Sequence, residues 1–160
     1  MNLSPWPFYD DEQLSNVTKI LKSGKVNYWT GNQGKIFEKE FSERFDAKYS
    51  VALANGSLAL SCAYLALNLK KDDEIITTPR TFIATSSSAV LLGLRPKFVD
   101  VDINSGLITS EMIEPAISKK TKAIVVVHLA GWPAEMDKIC KLAKQYGLFI
   151  IEDCSQAHGA

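Results

Sequence analysis

At 160 residues, 46% of them hydrophobic, the chain carries enough apolar material for one globular domain with a sizeable core. Eighteen basic residues balance eighteen acidic ones, so no chain-wide field draws it to nucleic acid or to an anionic membrane, and a charged ligand must be caught locally. Cys62, Cys140 and Cys154 are odd in number and show no CxxC spacing, which argues against a disulfide framework or a metal centre and reads as reduced thiols in a cytoplasmic protein.

The opening MNLSPWPFYDDEQ has neither a basic start nor an apolar run, and no later stretch is long enough to span a bilayer, so no export or membrane insertion is expected. Asp10 and Gln13 are spaced as a capping pair, and Leu14, Val17 and Leu21 recur at helical spacing until Gly24. KVNYWTGNQG reads as a loop. Phe37, Phe41 and Phe45 then form an i, i+4 stripe on a second amphipathic helix and are expected to pack in a core.

From Tyr49 the pattern alternates regularly. YSVALA, EIITT, KFVDVD, TKAIVVVH and LFIIED read as five strands. Between them SLALSCAYLALNL, TFIATSSSAVLLG and PAEMDKICKLAKQYG read as helices. The last has Pro133 in its first turn and Met136, Ile139, Cys140 and Ala143 on one face. TSEMIEPAI is also helical in pattern, but Pro115 removes a backbone donor and predicts a kink or a very short element. Runs as apolar as AIVVV and LFII do not alternate, which implies burial on both faces. The chain therefore reads as α/β, a mostly parallel sheet with helices on both sides.

In such sheets ligands gather beyond the carboxyl ends of the strands, where helix N-termini present free N–H groups. The candidates there are Asn55-Gly56-Ser57, Pro79 to Phe82, Asp100 and Asp102, His128, and Asp153 to His158. ANGS could hold a phosphate, although Asn-Gly is also ordinary turn chemistry and Ser57 an ordinary N-cap. Neither GxGxxG nor a Walker motif occurs. Asp153, at the end of a buried strand, needs a cationic or N–H partner unless it merely caps the following turn. Glu152 points to the opposite face. Phe82 could lie against a planar ligand or pack in the core, and Gln156 offers an amide three residues beyond Asp153. His128 and His158 lack an evident carboxylate partner, and Cys154 lacks a neighbouring cation and reads as inert. A phosphate site, a flat aromatic wall and a buried Asp together describe what pyridoxal phosphate requires: an anchored phosphate, a stacked ring and a protonated pyridine nitrogen.

The segments WTGNQGKIFEKEF, VALANGSLAL, DEIITTPRTFIAT, PKFVDVD, TKAIVVVHLAGWPAEMDKI and IIEDCSQAHGA occur in an order and at a spacing that resemble the DegT/DnrJ/EryC1/StrS family of nucleotide-sugar aminotransferases, over about Lys25 to Ala160. The resemblance implies the large domain of a fold-type I pyridoxal-phosphate enzyme, with Gly56 and Ser57 on the phosphate, Phe82 stacked on the pyridine ring, Asp153 on the ring nitrogen and Gln156 on the phenolic oxygen. It places Tyr28, Trp29, Thr30 and Gly31 on the sugar side, and gives His158 no catalytic role.

It further implies amino transfer from an amino acid, glutamate being the expected donor, to a keto group of a nucleotide-linked deoxysugar in surface polysaccharide or glycan precursor synthesis. The enzyme would be a homodimer with its site at the interface. The family's Schiff-base lysine lies a few tens of residues beyond the EDCSQAHGA motif, so no catalytic residue is expected within these 160. Residues 1–160 then correspond to an incomplete large domain, with 1–34 as an N-terminal helix and substrate-side loop, and the small C-terminal domain missing.

The implied sheet order is 3-2-4-5-6-7-1, which leaves YSVALA without a neighbour. The chain is thus expected to be an inactive fragment, or to hold its shape through other chains. The alternatives are a sugar dehydratase of the same family, with histidine in place of the lysine, a non-catalytic cofactor- or sugar-binding relative, and a nucleotide-binding α/β domain.

Overall fold

The computed structural model describes residues 7–160, so the first six residues of the expected 1–34 segment lie outside the described part. The chain forms two compact units, Met1–Ala52 and Leu53–Ala160.

In the first unit, α1 (Asp11–Ser23) starts at a reciprocal capping box. The Gln13 N–H donates to Asp10 Oδ1 at 2.8 Å, and the Asp10 N–H donates to Gln13 Oε1 at 2.9 Å. It stops at Gly24, whose φ of 68° suits a residue without a Cβ. Helix α2 (Gln33–Arg44) carries Phe37 and Phe41, and Phe45 is its C-cap, with successive ring centroids 5.6 and 4.5 Å apart. The expected core is not found there. The rings cover one another along the helix, but Phe37 is 52% and Phe45 41% exposed, and neither helix has a buried residue among the described ones.

The second unit is a parallel sheet of β1 (Glu74–Thr77), β2 (Arg95–Phe98), β3 (Thr121–Val127) and β4 (Phe149–Asp153), in the order β2-β1-β3-β4. Its helices are α3 (Gly56–Ala66), α4 (Ala84–Leu91), α5 (Ser110–Ile113) and α6 (Met136–Tyr146). Successive side chains of β1, β3 and β4 enter different cores. Ile75, Ala123 and Val125 pack with Leu60 and Tyr64 of α3 and Ala84 and Ala89 of α4. Ile76, Ile124 and Val126 pack with Ile113 of α5 and Ile139, Leu142 and Ala143 of α6. Burial on both faces explains the unbroken apolar run of β3. The same expectation fails for LFII, because β4 is an edge strand with no buried residue and with Phe149 exposed.

Several boundaries differ from expectation. Residues 49–54 form no strand, and Tyr49 and Val51 are exposed. The segment has no ladder neighbour, its Ala52 N–H going to the Glu38 carboxylate at 2.8 Å, so β propensity alone does not make it a strand. Strand β2 begins at Arg95, two residues before the expected Lys97, and contains Pro96. Pro96 is tolerated because β2 is the edge strand. Helix α6 begins at Met136, beyond Pro133, and Cys140 is exposed while Leu142 takes a place on the buried face. Pro115 sits in a 3₁₀ turn, Glu114–Ala116, that ends the four-residue α5, as its missing N–H predicts.

Candidate functional site

Asn55 ends the segment that leads into α3, and its side chain accepts from the Leu58 N–H at 3.0 Å. That cap satisfies one of the helix's free donors and leaves the N–H groups of Gly56 and Ser57 without an acceptor among the described residues. A Cβ added to Gly56 would meet nothing within 4 Å, so the fold does not demand glycine there. The helix start is open to a ligand that must approach the backbone closely, and its dipole favours an anion.

Across from it, Phe82 precedes α4 and is 73% exposed, which excludes the core-packing reading for its ring. The two helices are pinned together from beneath. The hydroxyl of Tyr64, a residue 1% exposed, donates to the Thr85 carbonyl at 2.7 Å, and Ser88 Oγ donates to the Ser57 carbonyl at 3.3 Å. Burial, with a smaller contribution from the charge of Asp153, pushes the Tyr64 hydroxyl far above the usual tyrosine pKa, so it remains a donor.

Strand β4 supplies the third wall. Asp153 shares a sheet face with Val127, its register partner on β3, on the side of α3 and α4. Its Oδ1 accepts from the Ser155 N–H at 3.1 Å and from the Ser155 hydroxyl, whereas Oδ2 has no partner among the described residues. Asp153 therefore caps the next turn with one oxygen and keeps the other available. Of the two partners expected for it, a cation or an N–H group, the described residues supply the N–H group, that of Ser155. Gln156 Oε1 accepts from the Ala130 N–H at 2.7 Å. This bond fixes which end of the amide is oxygen and leaves the NH₂ group as a donor. Ala130 adopts φ 58° and Gly131 φ 80°, and this left-handed pair turns the chain after β3 back toward Gln156.

Gly56, Ser57, Phe82, Asp153 and Gln156 thus line one cavity of about 430 Å³, together with Thr81, Thr85, His128 and Leu129. Their chemistry fits pyridoxal phosphate: anion donors at a helix start, an uncovered ring, a carboxylate oxygen without a partner and an oriented amide. The other candidates fall elsewhere. Asp102 Oδ1 caps the Asn104 and Ser105 N–H groups, which holds its carboxyl below the ordinary range, and Asp102 borders a separate hollow with Trp132. Asp100 accepts from the Val101 N–H. His158 and Cys154 line an adjoining hollow, and burial pushes the Cys154 thiol upward, consistent with an inert residue.

Tyr28, Trp29, Thr30 and Gly31 belong to the first unit. There Asn27 Oδ1 gathers the N–H groups of Trp29 and Thr30, and the Tyr28 hydroxyl donates to Glu38 at 3.1 Å, which raises the Tyr28 pKa.

Sequence reasoning missed the partner of His128. Its Nε2 lies 3.0 Å from Glu152 Oε2, and its Nδ1 accepts from the Ala134 N–H at 3.1 Å. The signal lies in the register. Val126 pairs with Glu152, so His128, two residues on, projects to the same face as Glu152. Among the described residues, His128, Glu152 and Cys154 are the one group close enough to share a metal ion. The donor set does not suit one. Nδ1 faces an N–H and must be unprotonated, so in the neutral ring Nε2 carries the proton and has no lone pair to offer.

The chain belongs to the DegT/DnrJ/EryC1/StrS aminotransferase family, whose sequence pattern matches residues 7–160. It is 43% identical over 150 residues to UDP-N-acetyl-3-dehydro-alpha-D-glucosamine 3-aminotransferase of Acidithiobacillus ferrooxidans, covering 94% of this chain and 40% of that protein. Among solved structures, the aminotransferase from Psychrobacter cryohalolentis superposes with a TM-score of 0.96 at 51% identity, over 99% of this chain and 40% of that one. The E. coli GDP-4-keto-6-deoxy-D-mannose-3-dehydratase with bound hydrated pyridoxal phosphate superposes with a TM-score of 0.82 at 32% identity, over 94% and 39%. The chain therefore spans about 40% of the length of these relatives.

Proposed function

We infer that this chain forms the cofactor-holding part of a longer enzyme. That enzyme moves an amino group from an amino acid, glutamate being the expected donor, to a keto group of a nucleotide-linked sugar, and pyridoxal phosphate is its cofactor. The observation that carries the reading is the convergence of Gly56, Ser57, Phe82, Asp153 and Gln156 on one cavity at the carboxyl ends of parallel strands. Similarity to a UDP-sugar aminotransferase supports the substrate class.

Each residue has a task set by its chemistry. The Gly56 and Ser57 N–H groups, the Ser57 hydroxyl and the α3 dipole hold a phosphate dianion. Phe82 would stack on the heteroaromatic ring. The free Asp153 oxygen would accept from the pyridine N–H and keep that proton in place through a charge-assisted hydrogen bond. The Gln156 amide donates to the phenolic oxygen. When bound, pyridoxal phosphate supplies an electron sink for the carbon that exchanges its amino group.

Tyr28 to Gly31 serve the sugar side in this reading, and the lysine that moves protons lies in sequence beyond Ala160. These 160 residues by themselves are expected to be inactive. A cytoplasmic homodimer in polysaccharide or glycan precursor synthesis completes the proposal. Among the described residues no helix is long and apolar enough to cross a membrane.

Likeness to a sugar 3-dehydratase favours one second reading, dehydration by the same cofactor. The two separate on one assay. Full-length enzyme supplied with pyridoxal phosphate, glutamate and a UDP-linked keto sugar should give an amino sugar and 2-oxoglutarate. Loss of the sugar's hydroxyl without nitrogen gain would favour the dehydratase, and no visible absorbance band with the cofactor would defeat both.

A further inference from the structure

His128 is 5% exposed and satisfied at both ring nitrogens, by Ala134 N–H on one side and Glu152 on the other. Its backbone N–H also donates to the Asp153 carbonyl at 3.2 Å. A ring so committed has neither a free lone pair nor a free proton for acid–base work in the cavity it borders. What it does is close a loop. Residues 128 and 134 are joined across six positions, and the left-handed turn at Ala130 and Gly131 lies inside that closure. The same turn delivers the Ala130 N–H to Gln156 Oε1. A non-glycine residue at φ 58° is held against its own preference only when its surroundings fix it.

We propose that His128 is a positioning residue: held as the Nε2–H tautomer between Ala134 and Glu152, it fixes the 128–134 turn so that Ala130 orients the Gln156 amide toward the cofactor's phenolic oxygen. This rests on the pyridoxal-phosphate reading for its final step, but the mechanical part does not. Glu152 acquires a role from its place on the opposite face to Asp153, because one strand end then braces the turn with one carboxylate and serves the cavity with the next.

The test is residue-resolved hydrogen exchange on the full-length protein without cofactor. His128→Ala should raise exchange at Ala134 and at Ala130 about tenfold each, the equivalent of one ordinary hydrogen bond, and Gln156→Ala should do so at Ala130. His128→Asn, whose Oδ1 can stand where Nδ1 stood, should restore most of the protection at both. Unchanged exchange at Ala130 in His128→Ala would overturn the proposal. Should that variant fail to fold, Glu152→Ala is read instead, with a severalfold rise at Ala134 expected and no change counting against it. With pyridoxal phosphate added, His128→Ala and Gln156→Ala should shift the visible band alike, and the double variant no further. Additive shifts would overturn the link to Gln156. A wild-type protein with no visible band would instead defeat the cofactor reading and leave the exchange result to decide the brace.

Discussion

The Tyr64 hydroxyl donates to the Thr85 carbonyl at 2.7 Å, so α3 and α4 are tied beneath the cavity that both border. Ser57 sits at the start of one helix and Phe82 just before the other, and this buried bond fixes their separation. Tyr64→Phe should cost about 0.5–1.5 kcal/mol in denaturant unfolding of the full-length protein, the usual contribution of one hydrogen bond, because the Thr85 carbonyl loses the hydroxyl and keeps only its bond within α4. It should also weaken pyridoxal phosphate binding severalfold. A variant as stable as wild type would show that the tie is dispensable.

The same tyrosine sets a limit in alkali. Its folded pKa is raised, so its contribution is complete below the ordinary tyrosine value of about 10 and declines as pH rises beyond it, where the unfolded chain ionises and the native one does not. Unfolding midpoints followed from about pH 8 to 11 should fall more steeply for wild type than for Tyr64→Phe. Parallel curves would contradict this.

Glu74 contributes on the acid side. Its carboxylate accepts from Ser118 Oγ at 2.5 Å and Thr121 Oγ1 at 3.3 Å, and lies 4.0 Å from Lys97, which together hold its pKa below the usual range. A depressed pKa gives stability that is complete above the unfolded value and lost as pH falls through the folded one. Glu74→Gln should flatten part of the acid limb of a stability–pH curve; an unaltered limb would assign it to other carboxylates.

Gly56 separates fold from ligand. Since an added Cβ meets nothing, Gly56→Ala should leave the unfolding midpoint unchanged or slightly raised. Pyridoxal phosphate affinity should fall about tenfold if the backbone there approaches the phosphate, the loss expected for one charge-assisted hydrogen bond. Equal affinity in the two proteins would mean that the phosphate sits elsewhere.

How far the sequence reached depends on the range of the forces involved. The α1 capping box, the Pro115 break and the apolar runs of β3 and β4 are local and were legible. The 49–54 segment carries a strand's local pattern but forms none, because it lacks the neighbour whose absence the implied sheet order predicts. Pro96 concealed the start of β2, since an edge position that tolerates proline is visible only once the sheet order is known. The exposed Phe37 and Phe45 show that a helical stripe specifies a face but not what covers it. His128 and Glu152 are 24 positions apart and meet only through the parallel register of β3 and β4.

The account turns on Asp153, and Asp153→Ala in the full-length enzyme should abolish turnover while leaving the fold intact. The most direct measurement is a crystal structure of that enzyme with pyridoxal phosphate bound. It should show the Asp153 oxygen not engaged by Ser155 about 2.7–2.9 Å from the pyridine nitrogen. A carboxylate turned to bulk water, with the ring nitrogen against another group, would contradict it.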